Sequence, residues 1–260
     1  MKTVNIQNGQ YRANPVMECV TTMAYKDKKR LVKLISYMAT FDGGIYVPYK
    51  RKPNSKVNCQ FILNMRKENL DYVEWVADII SEITSVRIED REDYNDDGYT
   101  RQPQVRLESA RHPFFTNIRD RIYINNKKVI DPHMLKMVDA EALAIIFMCD
   151  GGTQLETRFK NPHMYISLNT KGFSYWDNVA LGKSIYKNLG IQCNVNRHNK
   201  YYYLRIPKKA QDLFIKTVLP HMCESFLYKL ENLSPAMGED IVCALRERRE
   251  AFGNNKPLVT

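Results

Sequence analysis

The tripeptide Asp-Gly-Gly occurs at residues 42–44 and again, 108 positions later, at residues 150–152. Each copy closes an apolar stretch, KRLVKLISYMATF before the first and DAEALAIIFMC before the second. The segments after the two copies also share one pattern, and this repetition constrains the fold more than any single motif. Leu31, Leu34, Ile35, Met38 and Phe41 recur at helical spacing, so residues 28–41 read as a helix that Asp27 can cap. Residues 140–149 read as a second helix with Asp139 as N-cap. It is apolar on every side from Leu143 to Cys149, the mark of a helix buried all round. After Gly44 the pattern predicts strands over 45–50 and 57–65, a helix over 68–83 and a strand over 86–91. An Asp-Gly turn in YNDDGYT, a strand over 103–108 and a helix over 112–124 come next. After Gly152 it predicts strands over 153–159 and 163–168, a helix over 174–189, strands over 191–197 and 201–206, and a helix over 208–219.

The chain therefore reads as an α+β protein of two pseudo-symmetric αββαββα halves, a duplication that resembles a twofold dimer fused into one chain. The expected division is an N-terminal extension (1–26), a first half (27–124), a connection (125–138), a second half (139–230) and a C-terminal tail helix (231–260). At 260 residues with 44% hydrophobic side chains, a packed interior is expected.

The net charge of +10 favours a polyanionic partner: DNA, RNA or an anionic membrane surface. No pair of cysteines has CxxC spacing, which argues against a zinc knuckle. Several of the six cysteines lie in apolar contexts and read as core thiols of a reducing compartment. No uninterrupted apolar run is long enough to span a membrane, and the N-terminal stretch lacks the apolar segment of a secretory signal.

The predicted strands alternate. Gln154, Glu156 and Arg158 share one face, as do His163, Tyr165 and Ser167, then Gln192, Asn194 and Asn196, and in the first half Gln104, Arg106 and Glu108. A half-solvated antiparallel sheet would alternate too. These residue types, however, also pair with base edges, Arg with guanine and Asn or Gln with adenine. The intervening loops are basic: Lys50, Arg51, Lys52 and Lys56, then Arg158 and Lys160, then Arg197, His198 and Lys200. They suit phosphate contacts beside a ribbon lying in a groove. Arg87, Arg91, Tyr203 and Arg205 on neighbouring strands complete the candidate DNA-contacting set.

Asp42 and Asp150 each stand at a helix C-terminus, where the macrodipole disfavours an anion by about 0.3–1 kcal/mol at an exposed site. The adjoining glycine has a simple expectation, a left-handed residue that closes the helix. Two carboxylates at matching places in two repeats call for a reason to gather negative charge, and a divalent cation supplies one. Mg²⁺ takes carboxylate, water and phosphate oxygens and activates water for attack on a phosphodiester.

The segments ISYMATFDGG and LAIIFMCDGG resemble the LAGLIDADG motif of homing endonucleases, in the two-motif monomeric form of that family. INNKKVIDPHMLKMVDAEALAIIFMCDGG, SLNTKGFSYWDNVALGKSIYKNLGIQCNV and LPHMCESFLYKL are similar to the second half of mitochondrial intron-encoded members. The likeness is strongest over residues 122–230 and rests, in the first half, on the motif helix and the element order. It implies saddle-shaped antiparallel sheets on a long double-stranded DNA site, with the two motif helices packed at the centre. It further implies Mg²⁺-dependent double-strand cleavage leaving 3′ overhangs, with Mn²⁺ able to substitute. The catalytic acids fall on Asp42 and Asp150, one mainly serving each strand, with the backbone carbonyls of Gly43 and Cys149 as further metal ligands. Lys128 in NNKK and Lys229 in YKL match basic residues near the metals; for either, a plain surface or phosphate-contact lysine is the alternative. Tyr37 stands where the family carries a small residue, and Cys149 where a further Asp is found.

Two functions are consistent with these features. The first is a monomeric, intracellular, DNA-associated endonuclease encoded in an intron or similar mobile element of an organelle, bacterium or phage. The second is a non-cleaving nucleic-acid-binding protein of the same fold, an RNA splicing maturase or regulator for which intron RNA is a partner. The paired carboxylates separate them, because a binder has no use for two carboxylates against a phosphate backbone.

Overall fold

The structure, a computed structural model, describes residues 25–48, 57–91, 102–157 and 163–253. The chain divides into two compact units, Met1–Lys127 and Lys128–Thr260. The first contains α1 (Tyr25–Thr40), β1 (Gly44–Tyr46), β2 (Gln60–Arg66), α2 (Leu70–Ser81), β3 (Val86–Arg91), β4 (Gln104–Ser109) and α3 (Pro113–Ile122). A short hairpin of β5 (Tyr123–Ile124) and β6 (Lys127–Lys128) closes it; Asn125 and Asn126 turn the chain with positive φ, which Asn tolerates better than most residues. After the single turn α4 (Pro132–Leu135), the second unit contains α5 (Ala140–Asp150), β7 (Gly151–Glu156), β8 (His163–Leu168) and α6 (Tyr175–Leu189). β9 (Asn194–His198), β10 (Tyr201–Ile206), α7 (Lys208–Val218), the turn α8 (Tyr228–Glu231) and α9 (Glu239–Glu250) complete it. Each unit thus carries the αββαββα order, and the two antiparallel sheets have the same strand order, β1-β2-β4-β3 and β7-β8-β10-β9.

One face of each sheet is apolar and covered by helices of its own unit. In the first, Phe61, Leu63, Val105 and Leu107 are buried, and α2 lays Tyr72, Val73, Val76 and Ile80 into the same core. Cys59 N–H donates to Thr116 Oγ1 and Phe61 N–H to Ser109 Oγ, so side chains satisfy backbone donors at the start of β2. In the second, α5 is buried from Ala142 to Met148, every residue fully enclosed. Each large side chain there contributes roughly 1.5–3 kcal/mol of apolar burial, and Phe147 meets Phe214 of α7 edge-on at 5.1 Å. Asp139 caps α5 by accepting from Ala142 N–H at 2.9 Å, and Ser174 and Asp177 form a reciprocal capping box at the start of α6.

The C-terminal helix α9 belongs to the second unit: Ile241 and Leu245 are buried, and α9 packs on α7. Arg248 Nη2 donates to Met222 O at 3.0 Å, and Arg249 pairs with Glu231, both largely shielded from water. No helix among the described residues is long and apolar enough to cross a membrane.

Several boundaries differ from the sequence expectation. Asp27 lies in the first turn of α1 instead of before it. β1 ends at Tyr46, and β9 begins at Asn194, because the chain from Ile191 to Cys193 leaves the left-handed cap Gly190 as an irregular link. The loop RKPNSK, Lys50, the YNDDGYT turn, and Arg158 with Lys160 lie outside the described residues.

Candidate active site and nucleic-acid face

The two Asp-Gly-Gly segments end their helices differently. α1 stops at Thr40; Phe41 N–H donates to Tyr37 O at 3.1 Å and Gly43 N–H to Met38 O at 2.7 Å, which leaves Asp42 half-buried in the turn. Tyr37, at the position expected to be small, is fully buried and stacked parallel to Phe41. In the second unit Asp150 is itself the last residue of α5, and Gly151 N–H donates to Phe147 O. The carbonyl of Asp150 accepts from Asn169 N–H at 2.7 Å, which ties the helix end to the segment after β8.

The left-handed cap expected of these glycines is not what the structure shows. Gly151 has φ −71° and ψ 136°, an extended residue that starts β7 at once, and among the described glycines only Gly190 and Gly253 have positive φ. The glycines answer crowding instead. A Cβ on Gly151 would lie 2.1 Å from Phe147 O and 2.2 Å from its ring; one on Gly43 would lie 2.6 Å from the ring of Phe61. At Gly151 the passage from helix to strand takes no extra residue, so the turn has no room for a side chain.

Lys229 shows how the second helix end is held. It is buried, and its ammonium donates to Phe147 O at 3.1 Å, Met148 O at 2.6 Å and Gly151 O at 2.9 Å. The rings of Phe147 and Phe226 stand 5.7 and 5.4 Å away. The last carbonyls of a helix lack intrahelical partners, and a cation beside them also meets the negative end of the macrodipole. Lys128 is half-buried in β6. In the first unit the strand after Asp42 is gripped on its backbone: Ile45 N–H donates to Tyr123 Oη at 3.4 Å and Ile45 O accepts from Arg119. The Arg119 guanidinium lies 4.2 Å over the Tyr123 ring, and burial raises the Tyr123 phenol above its ordinary pKa. Neither Arg119, on α3, nor Tyr123, the first residue of β5, carried a sequence signal beyond the amphipathic pattern expected over 112–124.

Strand register assembles the polar face of the second unit. The pairs Gln154 with Tyr165, Glu156 with His163, Arg205 with Ser167 and with Asn194, and Tyr203 with Asn196 set these side chains on one side. Gly152, Gln154, Tyr165, Ser167, Tyr203 and Arg205 line a shallow concavity of about 240 Å³ there. His198 and Lys200 are exposed at the β9–β10 turn, which Asn199 makes with positive φ. Arg197 falls on the other side, opposite Tyr202, with Nε donating to Asn199 O at 2.7 Å. Gln192 precedes the strand and so is not part of its face.

In the first unit Gln104, Arg106, Arg87, Arg91 and Glu108 share one side with Asn64 and Arg66. That side is tied by ion pairs: Arg87 to Glu89 at 2.8 Å and to Glu108 at 3.1 Å, and Arg106 to Glu108.

Cys149 is half-buried at the helix end. Cys193, near the start of β9, has its thiol pushed up to about 12 by burial, which makes it inert at neutral pH. Among the described residues no three His, Cys, Asp or Glu side chains gather into an all-protein metal cage. A cation held by Asp42 or Asp150 would complete its shell with water and phosphate oxygens. The hard carboxylate donors suit Mg²⁺, which is ordinarily bound in that way.

Two closely similar sheet units, each entered by a buried helix ending in Asp-Gly-Gly, are the setting in which the likenesses to known proteins fall. The sequence profile of the LAGLIDADG DNA endonuclease family matches residues 42–214, and the chain belongs to that family. The probable intron-encoded endonuclease 1 of Wickerhamomyces canadensis is 24% identical over 191 residues, 72% of this chain and 79% of that protein. The homing endonuclease I-WcaI, in a structure bound to its DNA recognition sequence, superposes with a TM-score of 0.61 at 20% identity, over 84% of this chain and 94% of its own. The meganuclease I-SmaMI, bound to uncleaveable DNA, gives 0.53 at 11% identity, over 88% and 100% of the two chains. At these identities the structural likenesses speak to the fold.

Proposed function

We propose that this protein is a site-specific homing endonuclease, encoded in an intron or similar mobile element, that breaks both strands of a long DNA target and leaves 3′ overhangs. The observation that carries the reading is the repetition, within a DNA endonuclease family, of a buried helix delivering one aspartate to the start of a strand that opens a polar, Arg- and Gln-bearing sheet face. Support for DNA as partner comes from the similar proteins solved on DNA, and for an intron origin from the description of the Wickerhamomyces canadensis relative. Neither lends support to intron RNA.

In this reading Asp42 and Asp150 hold Mg²⁺, with Mn²⁺ able to substitute, and the carbonyls of Gly43 and Cys149 are candidate further donors. A likeness to I-SmaMI bound to uncleaved DNA in the presence of calcium ions is in keeping with a metal requirement. When bound, the cation supplies Lewis acidity at the scissile phosphate and lowers the pKa of water. The protein's part is binding and orientation. The polar faces read base edges, with Arg205, Arg106, Gln104 and Gln154 as the first candidates. Basic side chains such as His198 and Lys200 meet phosphates. Lys128 stabilises charge at the phosphate, and the crowded glycines fix where each aspartate leaves its helix.

The test is a supercoiled plasmid carrying the joined sequences that flank the reading frame, incubated with Mg²⁺ or with chelator. Wild type should linearise it, and end sequencing should find 3′ overhangs. Asp42→Asn and Asp150→Asn should each leave a nick, on opposite strands. A wild-type protein that binds this DNA yet never cuts it in Mg²⁺ or Mn²⁺ would sink the endonuclease reading and leave a binder.

A further inference from the structure

We infer that Lys229 is a positioning residue: its ammonium acts on the peptide groups at the end of α5 and so sets where Asp150 stands, instead of touching the scissile phosphate. The inference rests on the reading of Asp150 as a catalytic acid. An ammonium has three N–H donors. Phe147 O, Met148 O and Gly151 O receive one each, at 3.1, 2.6 and 2.9 Å. These three contacts turn the ammonium toward the backbone carbonyls of the helix end. The three acceptors bracket Asp150 in sequence, two before it and one after it.

Burying a lysine is unfavourable unless the charge is compensated. Here three carbonyls, the negative end of α5, and the faces of Phe147 and Phe226 compensate it. This arrangement answers the problem posed by Asp150. A carboxylate at a helix C-terminus is repelled by the helix end, and would be relieved by fraying the last turn. A cation fastened across that turn opposes the fraying. With Gly151 crowded against Phe147 and Asn169 N–H fixed on Asp150 O, the last turn of α5 is held from three directions. Lys229 itself comes from α8, which packs against β7.

The experiment compares wild type with Lys229→Met, which keeps the stem but has no donors, Lys229→Arg, and Asp150→Asn. Amide hydrogen exchange on the free protein needs no DNA. In Lys229→Met the Gly151 and Asn169 amides should exchange about tenfold faster, while amides of α6 and β10 keep their protection. On the flanking-sequence plasmid, Lys229→Met should nick instead of linearise, with cleavage of the strand served by Asp150 slowed about a hundredfold. Raised Mg²⁺ should recover that strand, because a displaced carboxylate weakens metal binding first. Lys229→Arg should be intermediate, since a planar fork cannot reach three converging carbonyls. Unchanged amide exchange, wild-type cleavage, or a lower maximal rate at an unchanged Mg²⁺ requirement would each overturn the inference, the last by assigning Lys229 to the phosphate. If Lys229→Met loses protection throughout the second unit, Lys229→Arg carries the same readings. Cleavage of both strands by Asp150→Asn at the wild-type rate would instead overturn the functional reading itself.

Discussion

The guanidinium of Arg205 lies 4.5 Å over the ring of Tyr165, on the polar side of the second sheet. Cross-strand pairing sets Arg205 between Ser167 and Asn194, and Tyr165 opposite Gln154. An arginine held over an aromatic face has lost much of the freedom it would otherwise give up on binding, and its forked edge can still reach guanine. Arg205→Ala should lower affinity for the cognate duplex by about tenfold to a hundredfold, as expected for a bidentate base contact. Tyr165→Leu, which leaves the arginine but removes its platform, should lose less, on the order of threefold to tenfold. Fluorescence anisotropy in Ca²⁺ checks both. Equal losses on cognate and scrambled duplexes would show that Arg205 contacts only phosphate.

On the first sheet the arginines are restrained by acids instead. Glu108 pairs with both Arg87 and Arg106, across and along the strands. The partly shielded carboxylate orients two cations while cancelling part of their field. Glu108→Gln should release Arg106 for phosphate and loosen Arg87, which keeps its pair with Glu89. Affinity for scrambled duplex should rise, its salt dependence should steepen by about one in log K against log [KCl], and discrimination should fall. A salt titration on cognate and scrambled DNA measures all three. A drop in affinity for both duplexes would instead make Glu108 a direct contact.

The parts legible in the sequence were those with local causes. The α5 helix announces itself because Asp139 caps it, Asp150 ends it and the residues between are apolar on every side. Strand parity was equally legible, and on parity Arg197 belongs on the face opposite that of Asn196, as the register with Tyr202 has it. Other features had no local cause. The alternation of residues 191–197 runs on through the link after Gly190, so periodicity could not find the start of β9. The glycines after Asp42 and Asp150 looked like left-handed caps, because nothing in the sequence showed that Phe147 and Phe61 occupy the space a Cβ would need. The resemblance places Lys229 near the metals, but nothing local shows that a carbonyl 78 positions earlier is brought to it. The Arg87–Glu108 pair likewise exists only once β3 and β4 are in register.

His112 caps α3 through its ring: Nδ1 accepts from Phe114 N–H at 3.2 Å. Only the neutral tautomer with a bare Nδ1 can accept, and burial lowers this histidine's pKa below 6.5. The unfolded chain therefore binds the proton more readily. The stability that His112 contributes is fully present above pH 6.5 and is lost as pH falls from there through the lower folded-state value. His112→Asn keeps a capping oxygen that does not titrate in this range. Between pH 7.5 and 5.5, values chosen to bracket roughly one unit either side of the ordinary pKa, the wild-type melting temperature should fall more than that of His112→Asn. Parallel curves for the two proteins would remove His112 from the pH response.

The four glycines of the two motifs are not equivalent, and the difference can be measured. A Cβ at Gly151 would meet a backbone carbonyl at 2.1 Å, as well as the ring of Phe147. Neither can step aside, because that carbonyl belongs to the last turn of α5 and the ring is fully buried against Phe214. At Gly43 the obstacle is the ring of Phe61 at 2.6 Å, also fully buried, with Met38 O at 3.1 Å. At Gly44 the nearest atoms belong to the ring of Tyr46, which is half exposed and can turn outward. Gly151→Ala should therefore destabilise the protein by about 1–3 kcal/mol, the usual range for overpacking a site that cannot relax. Gly43→Ala should fall toward the lower end of that range, and Gly44→Ala should stay within about 0.5 kcal/mol of wild type. Urea unfolding followed separately by tryptophan fluorescence and by far-ultraviolet circular dichroism gives the order. Because Gly151 starts β7 directly after Asp150, its alanine variant should also lose cleavage of one strand in the plasmid assay even where it remains folded. Gly44→Ala adds the same methyl at the second glycine of its motif, and should still linearise the plasmid. Equal destabilisation by Gly44→Ala and Gly151→Ala would mean that the glycines serve chain flexibility and not the close passage from helix to strand.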